Sequence, residues 1–310
     1  MSIGQSQEFF PARQSQLPFY RDIPLYRNAT DGGFVLYKPE GQSLAEMRLA
    51  EGLLPEQLYI NSSDKLKGLQ EVQKIFNRQL TEDIRANNPS KVKDTIVAIM
   101  TETLSEPRSG SLEGVVKTVD ILVSGYATES DVIKNLLFVS TKDYTTVLHS
   151  INVMALALVY ASYAGFSLAR KRVIGLCALL HDVGKTRIDT DLLTAPRKLT
   201  NEEFAEIKRH PVLGYDILSR CRFGDPEIKR AALEHHEKLD GSGYPRGRKD
   251  TAETSQIIAF IDCYEALTNN DRPYRSAMDP ARALFLIKDD VMAGKFSRDI
   301  FRTFTRSLNK

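Results

Sequence analysis

The apolar positions of the chain fall into two regimes. From Val147 onward they crowd into runs such as VLHSINVMALALV, LARKRVIGLCALLHDVGK and SQIIAFIDCYEALTNN, whose near-continuous hydrophobicity predicts helices buried on most sides. Local signals mark the ends of these and neighbouring helices. Ser167 is the predicted N-cap of LARKRVIGLCALLHDVGK, which is expected to end near Gly184. Thr200 with Glu203 predicts a capping box for EEFAEIKRH, after which Pro211 disfavours helical geometry at His210. Asp225 and Pro226 open EIKRAALEHHEK, which is expected to stop at Asp240-Gly241.

The N-terminal part follows a different period. In LPFYRDIPLYRN and GFVLYKP, aromatic or aliphatic residues alternate with polar ones around an NATDGG turn, as short strands do. A strand-like LYI and two helical patterns, SLAEMRLAEGL and DKLKGLQEVQKIFNRQLTEDI, complete a small mixed α/β module. The turn-rich stretch RANNPSKVKD then breaks the helical pattern around Asn88 and Pro89. The expected architecture is α+β overall: residues 1–88 form a small α/β regulatory or sensory module, and residues 89–310 an all-α bundle.

Charge narrows the ligands. The 310 residues carry 42 Lys and Arg against 40 Asp and Glu, a formal charge of +2, which gives no broad field for gripping a nucleic-acid polymer or an anionic membrane. An anionic ligand must be held locally. Cys177, Cys221 and Cys263 are odd in number and widely separated, which argues against a disulfide framework and suits a reducing compartment. The start, MSIGQSQEFFPARQSQ, lacks an apolar leader run, and no segment is read as reaching the roughly 20 apolar residues that span a bilayer. A cytoplasmic protein is expected.

The histidines supply the chemistry. All five, His149, His181, His210, His235 and His236, fall in the helical part, and Asp182 and Asp262 sit in runs apolar enough to be buried. An unpaired buried carboxylate costs several kcal/mol, and cationic partners are scarce nearby in sequence. Divalent metal would stabilise both carboxylates and take neutral imidazoles as further ligands. Adjacent helical residues differ by about 100° on the wheel, so the doublets His181-Asp182 and His235-His236 suit two ions better than one. Asp182 could then give one oxygen to each. Paired divalent ions about 3.5–4 Å apart suit phosphoester cleavage, activating water and clamping phosphate oxygens.

The ordered set HSINV, HDVGK, KRHPVLGYDIL, HHEKLDGSGYP and DCYEALTNNDRPYR resembles the HD-GYP phosphodiesterases. That resemblance implies an all-helical HD-type fold and hydrolysis of the messenger cyclic di-GMP. By the same resemblance His149, His181, Asp182 and Asp262 surround one ion, and His210, His235 and His236 hold the other, with Asp182 bridging. The ions are expected to be iron, with manganese as the alternative. Lys185 resembles the lysine that contacts the scissile phosphate, so Asp182 and Lys185 are the expected catalytic pair. Arg272 and Arg275 match basic positions that hold the nucleotide phosphates. Gly241 and Gly243 allow the loop a close approach to a ligand, and Tyr244 either meets the substrate or shapes the loop.

The sequence also departs from the family pattern. Thr145 stands where some members carry a glutamate ligand for a third ion, so two ions are expected rather than three, with linear pGpG as the product and further cleavage to GMP left open. Ser276 stands where a basic residue is common, and PRGRKDTAETSQ lacks the usual hydrophobic pattern. Two alternatives stay open: a signalling adaptor that binds the dinucleotide with little or no turnover, passing its state to a protein partner through the N-terminal module or the GYP loop, and an HD phosphohydrolase for another nucleotide such as a hybrid cyclic dinucleotide.

Overall fold

The computed structural model describes residues 8–30, 32–45, 56–105, 107, 110–128, 146–269 and 278–308. The chain divides into two compact units, Met1–Gln79 and Leu80–Lys310.

The first unit carries an antiparallel sheet of strands β1 (Phe9–Pro11), β2 (Leu25–Asn28), β3 (Phe34–Lys38) and β4 (Tyr59–Asn61), in the order β1-β4-β2-β3. The expected turn between β2 and β3 closes as Ala29 N–H donates to Gly33 O at 2.8 Å, with Gly32 at φ +84°, a conformation glycine adopts freely. One face buries Tyr20, Ile23, Leu25, Leu44, Leu58 and Ile60 with Val72. Lys38 is fully buried, and its ammonium donates to the carbonyls of Arg21, Pro39 and Gln42 at 2.9, 3.0 and 2.9 Å. Strand β1 is too short, and too interrupted by proline, to have been read from its alternation. Most of the expected helix SLAEMRLAEGL lies outside the described residues.

Helix α1 (Lys65–Arg85) spans the division at Gln79 and ends where the sequence predicted a break: Asn87 takes φ +50°, and α2 (Pro89–Ser105) starts at the proline. The second unit continues as helices α3 (Val115–Thr128), α4 (Thr146–Tyr163), α5 (Leu168–Leu180), α6 (Thr190–Leu193), α7 (Asn201–Ile207), α8 (His210–Ser219), α9 (Glu227–Glu234), α10 (Glu253–Thr268), α11 (Pro280–Met292) and α12 (Arg298–Ser307). A 3-10 segment, Val183–Arg187, follows α5. Two caps act as expected: Ser167 Oγ accepts from Arg170 N, and Thr200 and Glu203 close a capping box; at the third helix Pro226 rather than Asp225 is the N-cap, and Asp225, one residue earlier, accepts from Glu227 N.

The central helix is α4, buried against α5 and α10. By length and composition alone α4 could cross a membrane, contrary to the sequence expectation, but 72% of it is buried inside the fold. Pro211 does not keep His210 out of a helix: α7 stops at Ile207, and His210 opens α8 with the proline in its first turn, where a missing N–H costs nothing. Two expected helix ends also shift. Helix α5 stops at Leu180 rather than near Gly184, and α9 at Glu234 rather than at Asp240-Gly241.

Candidate metal centre

One physical device explains both early ends. The last carbonyls of a helix lack intrahelical partners. His181, the C-cap of α5, brings Nδ1 to 2.6 Å from Ala178 O, and His235, the C-cap of α9, brings Nδ1 to 2.9 Å from Ala232 O. A carbonyl engaged by a ring is a poorer acceptor for the amide that would extend the helix. His210, at the start of α8, repeats the geometry, with Nδ1 2.6 Å from Ile207 O at the end of α7. A carbonyl only accepts, so each Nδ1 carries a proton, and in the neutral tautomer that this selects, Nε2 is the atom with the lone pair.

Those lone pairs converge in two groups. His210, His235 and His236 present ligand atoms within 4.8 Å of one another, and His149, His181 and Asp182 do the same. In the first group His210 Nε2 lies 3.2 Å from His235 Nε2. Burial pushes the His210 pKa down to about 4, and burial with the charge of neighbouring rings holds His235 well below its ordinary value. No proton therefore bridges the pair near neutral pH. Asp182 Oδ1 adds a third acceptor, 3.3 Å from His210 Nε2 and 3.7 Å from His235 Nε2, buried and without a hydrogen-bond partner. Two lone pairs and an unpartnered carboxylate oxygen form a set that a divalent cation satisfies and that ordinary protein contacts leave unsatisfied.

The second group faces the other oxygen of Asp182. Asp182 Oδ2 lies 3.6 Å from His149 Nε2 and 3.5 Å from His181 Nε2, whose nitrogens are 3.3 Å apart. Asp262, on α10, sets Oδ1 3.0 Å from His149 Nε2 and Oδ2 3.9 Å from His236 Nδ1. Although burial opposes it, Glu265 and Asp262 raise the His149 pKa to about 9. Positive charge is favoured between His149, Asp182 and Asp262, whether a proton or a metal ion supplies it. Burial likewise opposes ionisation of the two aspartates, yet both stay well below the ordinary carboxylate range, Asp182 through Lys185 and His181, Asp262 through His149 and His236.

Lys185 follows Asp182 by three residues in the 3-10 segment, where side chains at that spacing eclipse, and its Nζ rests 2.5 Å from Asp182 Oδ2. Gly184 makes this segment possible. A Cβ there would stand 1.9 Å from His210 O and 2.5 Å from Gly214 N, so the segment passes backbone to backbone over the start of α8.

The loop after His236 is held by buried Glu237, which accepts from the amides of Arg246 at 2.7 Å and Arg248 at 3.0 Å. Gly243 approaches the chain's own backbone: a Cβ would meet His236 O and Lys238 N, each at 2.4 Å. Tyr244 N–H donates to His236 O at 3.1 Å, and its ring stacks on His236, centroids 4.6 Å apart. Arg272 and Arg275 lie outside the described residues, as do Thr145 and Ser276.

Sequence reasoning missed Glu265. Buried on α10 three residues after Asp262, it accepts from His149 Nδ1 at 2.6 Å and is fixed in turn by Asn152 Nδ2 at 2.9 Å and Asn269 Nδ2 at 2.5 Å. Its signal was present, since a second acid on an apolar helix is as costly as Asp262. Glu237 had no such signal, because the amides it satisfies are defined only once the loop folds.

A family model for the HD domain matches residues 129–300, more than half of the chain. A cyclic di-GMP phosphodiesterase of Pseudomonas aeruginosa is 32% identical over 192 residues, covering 61% of this chain and 46% of that protein. A 3′3′-cGAMP-specific phosphodiesterase of Vibrio cholerae is 33% identical over 171 residues, 54% of this chain and 39% of that one. The chain thus spans less than half the length of these curated relatives. The solved structure of an HDG"Y"P protein from Bdellovibrio bacteriovorus is similar with a TM-score of 0.64, covering 98% of this chain and 100% of that one at 19% identity, a likeness of fold.

Proposed function

Because the chain belongs to the HD domain family, in its HD-GYP branch, we propose that its helical unit is a metal-dependent phosphodiesterase that opens cyclic di-GMP to linear pGpG. The observation that carries this reading is the pair of proton-free Nε2 atoms of His210 and His235 beside the unpartnered Oδ1 of Asp182. His210, His235 and His236 would hold one divalent ion, and His149, His181 and Asp262 the other, with Asp182 giving an oxygen to each. Imidazole and carboxylate donors suit iron, with manganese as the alternative. Ions held there supply Lewis acidity toward water and toward phosphate oxygens.

The chain's own groups do the rest. The carbonyls of Ala178, Ile207 and Ala232 fix the orientation of three imidazoles, with Nδ1 toward the carbonyl and Nε2 toward the site, so that orientation does not have to be found during the reaction. Lys185 holds a positive charge at Nζ on the Asp182 side, where it can draw in the substrate phosphate and stand near the departing 3′-oxygen as a proton source. Tyr244, stacked on His236, closes one wall and keeps that ring in place. The names of the relatives support a cyclic dinucleotide substrate, and the similarity to a 3′3′-cGAMP-specific phosphodiesterase makes the hybrid dinucleotide the second reading.

The test is an anaerobic turnover assay on protein of measured metal content, followed by time-resolved chromatography, alongside His235→Ala. Wild type should convert cyclic di-GMP to pGpG, and the variant should lose metal and turnover together. Metal-replete wild type that returns the dinucleotide unchanged supports an adaptor instead, and faster cleavage of 3′3′-cGAMP moves the substrate to the hybrid.

A further inference from the structure

The rim of the metal centre carries a cation and an exposed ring that the chemistry above leaves without a task. Helix α7 ends at Ile207, just before His210, and its last turn puts Phe204 and Lys208 four positions apart on one face. Phe204 is 45% exposed. Lys208 Nζ lies 4.6 Å from the Phe204 ring centre and 5.5 Å from that of Tyr244, the ring stacked on His236. Among the described residues Lys208 makes no ion pair, whereas neighbouring Arg209 is paired with Glu206 at 2.8 Å and Lys185 with Asp182.

We propose that Phe204 and Lys208 form a guanine subsite for the cyclic dinucleotide, an inference that rests on the phosphodiesterase reading. A dinucleotide with one phosphate at the cations still has to place its bases. Guanine presents two acceptors, O6 and N7, along one edge, which a lysine ammonium can contact together. Adenine replaces O6 with an amino donor, which that ammonium repels. The open face of Phe204 offers stacking to any base. Among the described residues the Lys208 ammonium meets the Phe204 and Tyr244 rings and no carboxylate, so it can take up this contact without breaking an ion pair there. The subsite and His210 share the α7–α8 corner, so the distance from base contact to metal ligand is set by the fold.

The test compares cyclic di-GMP with cyclic di-AMP on the full, metal-loaded chain and its Lys208→Ala, Lys208→Arg and Phe204→Ala variants. Lys208→Ala should raise KM for cyclic di-GMP roughly 5- to 100-fold and reduce the preference over cyclic di-AMP, and Lys208→Arg should restore that preference. Phe204→Ala should raise both KM values by similar factors, about 5- to 100-fold. If Lys208→Ala leaves KM and the guanine preference unchanged, the subsite is overturned. An equal rise for both dinucleotides also overturns it, since that pattern marks a phosphate contact. Hydrolysis of bis(p-nitrophenyl) phosphate by wild type tests the diesterase chemistry separately. Should turnover fail, calorimetric binding of the two dinucleotides reads the same preference, and a wild type that binds neither overturns the subsite together with the phosphodiesterase reading.

Discussion

The Nε2 atoms of His210 and His235 stand 3.2 Å apart, and each ring has already committed its Nδ1–H to a carbonyl at a helix end. The geometry is costly for the protein alone and favourable around a cation. Metal should therefore act as a folding ligand: at a hundredfold excess over Kd, binding contributes about 2.7 kcal/mol. A unit of this size should then melt roughly 5–10 °C higher with metal than after chelation. Differential scanning calorimetry with and without chelator checks this, and coincident melting curves would contradict it.

Glu265 orients His149 through the 2.6 Å contact to Nδ1. Glu265→Gln keeps the shape but removes the negative charge that favours the Nδ1 proton. Metal affinity should fall about 10- to 100-fold, read by competition titration, with the fold retained. Unchanged affinity would reduce Glu265 to a packing role.

The metal-stripped protein should have a characteristic pH profile. His210 is depressed to about 4 by burial, so between its ordinary value near 6.5 and 4 the unfolded chain binds a proton that the folded one refuses. Its contribution is intact above 6.5 and lost as pH falls through 4. For His149 the sign is opposite: burial lowers its pKa, but Glu265 and Asp262 raise it to about 9, so its contribution is full below 6.5 and lost as pH rises through 9. Melting temperatures of chelated protein should peak near pH 6.5. A flat profile from pH 4 to 9 would show that these rings are not buried as described.

Gly184→Ala should be severe, because the added carbon would meet backbone atoms at 1.9 and 2.5 Å rather than a side chain able to move. The expected cost is about 2–3 kcal/mol or more, together with lost metal, since His210 must shift. Gly214→Ala, whose nearest contact is 3.3 Å, should be clearly milder in the same denaturant titration. Equal effects would mean the 3-10 segment can move away from α8 freely.

The sequence made the convergence of His149, His181, Asp182, His210, His235, His236 and Asp262 legible because polar groups in apolar helices need partners, and few were available nearby. The helix ends were not legible. What stops α5 and α9 is a bond from a ring to a carbonyl, and that ring is oriented by the tertiary site, so local propensity kept both helices running. A 100° separation of His235 and His236 holds only within a continuous helix, whereas His235 is the C-cap of α9 and His236 lies beyond it. Gly243 was expected to admit a ligand, but the nearest approach is to the backbone of His236 and Lys238, which no spacing rule reveals.

The most direct measurement is anomalous diffraction from crystals grown anaerobically with iron or manganese and no chelator. Two peaks per chain are expected, one among His210, His235 and His236 and one among His149, His181 and Asp262, with Asp182 touching both. Rings that instead hydrogen-bond only to protein and water, with no ion between them under those conditions, would contradict the account.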